Sequence, residues 1–188
     1  MGKLTVFVVV ILILIFIAGG SYFSIRNTLV QKNEAVKSAW SQVDVVLQRR
    51  ADLIPNLVET VKGIASHETE VFKNIADARA ALISGRTPQE KIQANDQLSG
   101  ALSRLLVVAE NYPQLRSNEN FLRLQDELAG TENRIAVERR KYNETLQRYN
   151  TAIQVFPNNI VASLAGFERN NAYFTTEPGA RNAPKVKF

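Results

Sequence analysis

The residues best equipped for chemistry in this chain are one histidine beside a carboxylate, and a few charged side chains set where apolar ones belong. His67 is the only histidine of 188 residues, and Glu68 follows it. The pair could ligate a metal or move a proton, but a metal needs further ligands at helical spacing and none accompanies His67. A serine–histidine–acid set would have to use the same histidine, and nothing around it supports one. There is no glycine-rich phosphate loop, no paired-histidine motif and no nucleophile elbow. Cysteine is absent, which excludes a disulfide framework, a thiolate zinc site and a cysteine nucleophile. The expectation is a non-enzymatic chain with no catalytic residue, no cofactor and no metal.

The second group of polar residues stands out by position. From Leu29 onward, apolar residues recur with alternating steps of four and three. One column holds Leu29, Val36, Val43, Arg50, Leu57, Ile64, Val71 and Ala78; the other holds Asn33, Trp40, Leu47, Ile54, Val61, Glu68, Ile75 and Leu82. That spacing keeps both columns on one helical stripe. Arg50 is the charged intruder in the first. Later, Phe121, Leu128, Ile135, Tyr142, Tyr149 and Phe156 fall seven apart, and their companion column reads Gln125, Glu132, Arg139, Leu146 and Ile153. A buried guanidinium without a partner costs several kcal/mol. Either these side chains reach water at the edge of the stripe, or Arg50 pairs with Glu132 in a buried polar layer that fixes helix register.

The elements that would carry these residues are all helical. The first stripe predicts one very long helix or two stacked segments, with a kink near Leu53 from Pro55 and a weak point at Gly63 to Glu68. It should end near Ile83, capped by Gly85. Thr87-Pro88-Gln89-Glu90 reads as a capping box with proline at the first helical position. Ile92, Leu98, Leu102, Leu105 and Ala109 give that helix its apolar face, and Tyr112-Pro113 stops it. Ser117 should cap a third long helix running to Phe156-Pro157, with the hydroxyls of Tyr142 and Tyr149 at the bundle's edge. A short helix over residues 159–164 follows, and residues 176–188 look disordered. No segment alternates with period two, so no sheet is expected.

Leu4 to Ile25 contains no charged side chain. At helical rise it reaches roughly 30 Å, the thickness of a bilayer's hydrocarbon core. Lys3 and Ala18-Gly19-Gly20 resemble parts of a secretory signal. The run nevertheless continues through Tyr22, Phe23 and Ile25, which favours an uncleaved anchor. The net charge is +5, but acids and bases alternate and no block of five like charges occurs. Nucleic-acid binding is not expected. The predicted architecture is all-α: a transmembrane anchor over residues 1–26, then one body over 27–175 built as an up-and-down bundle of three or four long helices. The lipid bilayer, contacted through residues 4–25, is the expected partner of the anchor.

Ala39-Trp40-Ser41-Gln42-Val43-Asp44 and the run from Arg49-Arg50-Ala51-Asp52-Leu53-Ile54-Pro55-Asn56 to Leu57-Val58 resemble the signature of the LemA family of bacterial membrane proteins. Asn120-Phe121, Leu124-Gln125, Thr131-Glu132-Asn133-Arg134-Ile135, Tyr142-Asn143, Tyr149-Asn150 and Phe156-Pro157 agree in order. The resemblance implies one N-terminal transmembrane helix in the bacterial cell membrane, a helical bundle on the cytoplasmic side, and no established enzymatic activity. Lys/Arg placement gives the same orientation only a slight lean, and a body on the outer side stays open. The signature maps onto Arg49, Arg50, Asp52, Pro55, Asn56, Gln125, Glu132, Asn133 and Arg134, read as structural or partner-binding residues. Two functions compete. In the first, the long striped helices self-associate into a homo-oligomeric, coiled-coil-like scaffold that organises or shapes the membrane, a role that the resemblance supports by analogy. In the alternative, the chain is an adaptor that docks a partner such as a membrane protease or signalling component. The signature around Arg49 to Asn56 would then be exposed.

Overall fold

A computed structural model describes residues 2–65 and 67–175. The disorder expected for residues 176–188 falls outside the described residues. Among the described residues six helices follow one another: α1 (Lys3–Lys62), α2 (Thr69–Ser84), α3 (Pro88–Glu110), α4 (Pro113–Arg116), α5 (Glu119–Ala152) and α6 (Asn158–Ala165). No strand occurs among the described residues. The chain is all-α, with a long N-terminal apolar helix followed by a helical bundle.

Two compact units can be distinguished. The first joins the chain up to Ala39 with Glu144–Asn171. In it α1 exposes every large apolar side chain from Leu4 to Ile17, and buries Leu29 and Val36. Among the described residues, this helix carries one segment long and apolar enough to cross a membrane. The end of α5 and α6 contribute Leu146, Tyr149, Ile153 and Val161 to the core of the unit. Gly166, at φ 72°, ends α6 in the left-handed conformation that glycine adopts without strain.

The second unit holds Trp40–Asn143 and, among the described residues, 172–175. Its core is the predicted stripe: Val43, Leu47, Ile54, Leu57 and Val61 of α1, Ile75 and Leu82 of α2, Leu98 and Leu105 of α3, and Ile135 of α5. Burying each such leucine or isoleucine stabilises the fold by about 1.5–3 kcal/mol. The weak point at Gly63 to Glu68 is a true break, because α1 stops at Lys62 and α2 starts at Thr69.

At Pro55, where a kink near Leu53 was expected, the chain stays helical. α1 runs through it unbroken, with the proline on an exposed face. Proline has no N–H, so the carbonyl of Ala51, four residues earlier, loses its helical donor. Arg79 of α2 supplies one: its Nε–H donates to Ala51 O at 2.8 Å.

Gly85 does follow α2, but at φ −57° it is not a left-handed cap. A Cβ there would lie 2.9 Å from Lys91 Cγ, so glycine lets the first turn of α3 approach. Lys91 in turn pairs with Asp44 of α1. Asn118, rather than Ser117, caps α5, accepting from Phe121 N at 3.0 Å. Ser117 belongs to the unexpected one-turn helix α4, as its C-cap. The expected box at Thr87 is complete: Glu90 N donates to Thr87 Oγ1 at 3.2 Å, and Arg86 N and Thr87 N donate to Glu90 Oε2 at 2.7 and 3.3 Å. Those two backbone donors hold the Glu90 carboxyl below its ordinary pKa. A depressed carboxylate stabilises the fold above its unfolded pKa, and that contribution fades as pH falls through the folded value. Glu90→Gln should therefore flatten the acid limb of a stability–pH curve measured by urea unfolding. Thr87→Ala should cost about 1 kcal/mol at neutral pH.

Candidate functional site

Arg50 is the centre of the second unit's polar chemistry. The stripe that buries Val43 and Leu57 carries it inward, and it is only 6% exposed. Its Nη1 donates to Asn95 Oδ1 at 2.7 Å and to Ser99 Oγ at 3.0 Å, both on α3. Glu132 Oε2 of α5 lies 3.0 Å from the same nitrogen. Nη1 has two hydrogens, both taken by Asn95 and Ser99, so Glu132 is held by charge rather than by a directed bond. Burial lowers the Arg50 pKa from its ordinary value; Glu132 opposes this, Arg139 adds to it, and Asp96 opposes it. Arg139 extends the layer, with Nη2 3.6 Å from Asp96 Oδ1 and the guanidinium 4.7 Å above the Phe174 ring. Glu132 Oε2 and Arg139 Nε and Nη2 are buried without a hydrogen-bond partner among the described residues.

Beside Arg50 opens a cavity of about 320 Å³. Arg50, Ser99 and Glu132 give it a polar side, and Leu57, Leu102 and Leu128 give it apolar walls, with Gln125 also lining it. Of the nine signature positions, Arg50, Gln125 and Glu132 thus meet at one place, and the other six do not line it. Arg49, Asp52, Pro55, Asn56, Asn133 and Arg134 are all exposed. Arg49, Asp52 and Asn56 share one face of α1 with Val45, which is 66% exposed. Gln48 Nε2 donates to Asp52 Oδ1 at 2.9 Å along the same face. His67 sits exposed in the turn between α1 and α2. No group of three His, Cys, Asp or Glu side chains able to hold a metal ion occurs among the described residues.

Asn95 and Ser99 are not among the signature positions, although Asn95 is a polar residue on the apolar stripe between Ile92 and Leu98. Sequence alone does not reveal what two asparagines on α5 do. Asn143 brackets the backbone of Phe174, Nδ2 donating to its carbonyl at 2.8 Å and Oδ1 accepting its N–H at 3.0 Å. In the other unit Asn150 brackets Asn170 in the same way, at 2.6 and 3.0 Å. Each side-chain amide replaces the strand partner that an extended segment would otherwise need.

The Tyr142 ring packs on the stripe as expected, in edge contact with Trp40 and Phe174, but its hydroxyl, expected at the bundle's edge, is buried. Tyr149 reaches the carbonyl of Glu168 at 2.9 Å. The Tyr142 hydroxyl has no hydrogen-bond partner among the described residues. Burial, helped by Tyr173, pushes its pKa from 10.0 up to about 12. The neutral phenol is the form that the fold keeps, so its contribution is complete below pH 10 and is lost as pH rises toward about 12. Tyr142→Phe removes both the orphan hydroxyl and the titration. It should raise stability at neutral pH by about 1–3 kcal/mol and delay alkaline unfolding followed by circular dichroism.

The profile of the LemA family matches residues 39–188. The chain belongs to the LemA family. Its LemA-type sequence is 28% identical, over 81% of this chain and 65% of the relative, to magnetosome protein MamQ 2 of Paramagnetospirillum magneticum. It is 26% identical, over the same shares, to magnetosome protein MamQ of Magnetospirillum gryphiswaldense. Protein LemA of Metamycoplasma hominis is 25% identical over 75% of this chain and 65% of its own length. The chain thus spans 65% of the length of each of these relatives. Membership of the LemA family and a helix of spanning length together point to a membrane-associated protein.

Proposed function

We propose that this chain is a non-enzymatic module, anchored in the cell membrane by a single pass through residues 4–25, that docks another polypeptide. One observation carries this reading. Arg49, Asp52 and Asn56 project into solvent from one face of α1, with Val45 beside them. Residues that served only to hold the bundle would face inward, as Arg50 does. An exposed face that mixes an apolar contact with both signs of charge suits a specific partner with a polar rim. The second reading keeps the same face and supplies a second copy of the chain as occupant, giving a self-associating scaffold that organises the membrane. In both, the body is assigned to the cytoplasmic side.

A photocrosslinking residue at position 56 of the full chain, irradiated in its own membranes, tests the docking face. A discrete adduct with a different protein, abolished by Asp52→Lys, supports the adaptor. An adduct with a second copy supports the scaffold. If position 56 gives no adduct of either kind, the face is not a docking surface and both readings of it fall.

A further inference from the structure

The end of α5 and the whole of α6 form a stretch without charge. Between Arg148 and Glu168 there is no charged residue, in a chain with 22% charged residues. Phe156 was expected on the apolar stripe of α5. It is instead 79% exposed, because α5 ends at Ala152 and the helical register ends with it. Ile160 is 52% and Leu164 73% exposed, and Val155 is exposed too. Ile160 and Leu164 stand one helical turn apart on the outward face of α6, and Phe156 is exposed in the uncharged turn that leads into it; together they make an apolar ridge at this end of the unit. Val161 and Ala162 anchor the opposite face of α6 in the core. Singly exposed apolar residues are ordinary, whereas a contiguous uncharged ridge of large ones marks a contact surface.

What covers the ridge follows from its own unit. That unit contains the apolar run of α1, whose first buried residue beyond Ile25 is Leu29, one helical turn away. The chain leaves the unit at Ala39 and re-enters it at Glu144. The turn after α5 and the apolar run therefore lie in one compact unit, whose core begins at Leu29, one turn beyond the apolar run. Exposed Arg26, Arg148 and Arg169 belong to the same unit, where they suit phosphate headgroups.

We propose that Phe156, Ile160 and Leu164 form a second membrane contact: an interfacial foot, seated in the bilayer surface beside the point where α1 emerges. A foot of this kind lies about 5–10 Å into the headgroup–acyl boundary. The inference rests on reading Leu4–Ile25 as a membrane span. With the foot seated, this unit is held to the bilayer at two places, the span and the foot.

The absence of cysteine makes the test direct. Single substitutions Ile160→Cys and Leu164→Cys in the full chain are labelled with an environment-sensitive fluorophore. The protein is reconstituted into phosphatidylethanolamine–phosphatidylglycerol vesicles carrying nitroxide lipids. Ile13→Cys reports the span and Val137→Cys an exposed position of the other unit. Labels at 160 and 164 should shift to the blue and lose most of their emission to shallow nitroxides, while that at 137 keeps its emission. Leu164→Glu should abolish the quenching at 160 with helicity unchanged. If 13 is quenched while 160 and 164 stay as water-exposed as 137, the foot does not exist. If 13 also escapes quenching, the span reading fails and the foot falls with it.

Discussion

Glu132→Ala should cost about 2–3 kcal/mol of unfolding free energy, measured by denaturant titration in detergent, although its side chain is 45% exposed. A carboxylate with that much access to water would ordinarily be worth a fraction of this. The difference lies in what is left behind. Arg50 is 6% exposed and cannot follow its partner into solvent. Its charge would be left with Asn95 and Ser99, two dipoles, as its nearest compensation. Arg50→Met should cost a similar amount for a different reason, since it leaves buried Asn95 without its donor while Glu132 rehydrates. The double variant removes both charges and should recover about 1–3 kcal/mol relative to the sum of the singles. Strict additivity would mean that the two groups do not sense each other across 3.0 Å, and the polar layer would lose its energetic meaning.

The layer shows which features local sequence encodes and which it does not. Arg50 declared itself by breaking a column of apolar residues, and Glu132 by sitting between Gln125 and Arg139 in the matching column of α5. The pairing needed only two helices in heptad register. Asn95 and Ser99 required the placement of α3, whose own stripe was defined by its leucines and passed over its asparagine. Thr87 and Glu90 were legible in full because a capping box closes within four residues. The brackets made by Asn143 and Asn150 were not, because their partners lie in an extended segment with no periodicity to read. Phe156 was misplaced for a related reason. A heptad continues on paper after its helix has ended, and α5 ends at Ala152. The same limit hid the ridge at Phe156, Ile160 and Leu164.

Pro55 offers the sharpest test of how distant chain segments correct a local fault. Proline in a helix interior costs about 3 kcal/mol relative to alanine, through the lost hydrogen bond and the crowding of the preceding turn. Pro55→Ala should therefore stabilise the fold, by less than that figure because Arg79 already satisfies the carbonyl of Ala51. Arg79→Met in the natural chain removes the substitute donor beneath the fully buried Ala51 and should cost about 1–3 kcal/mol. With alanine at 55, the backbone N–H returns to its helical acceptor, and the same Arg79→Met change should become nearly neutral. The sign of this coupling is diagnostic. A purely electrostatic or packing role for Arg79 would give the same loss in both backgrounds. Repair of the proline gap predicts that the loss vanishes once the gap is closed, and amide exchange along residues 51–58 of α1 would slow in step with it.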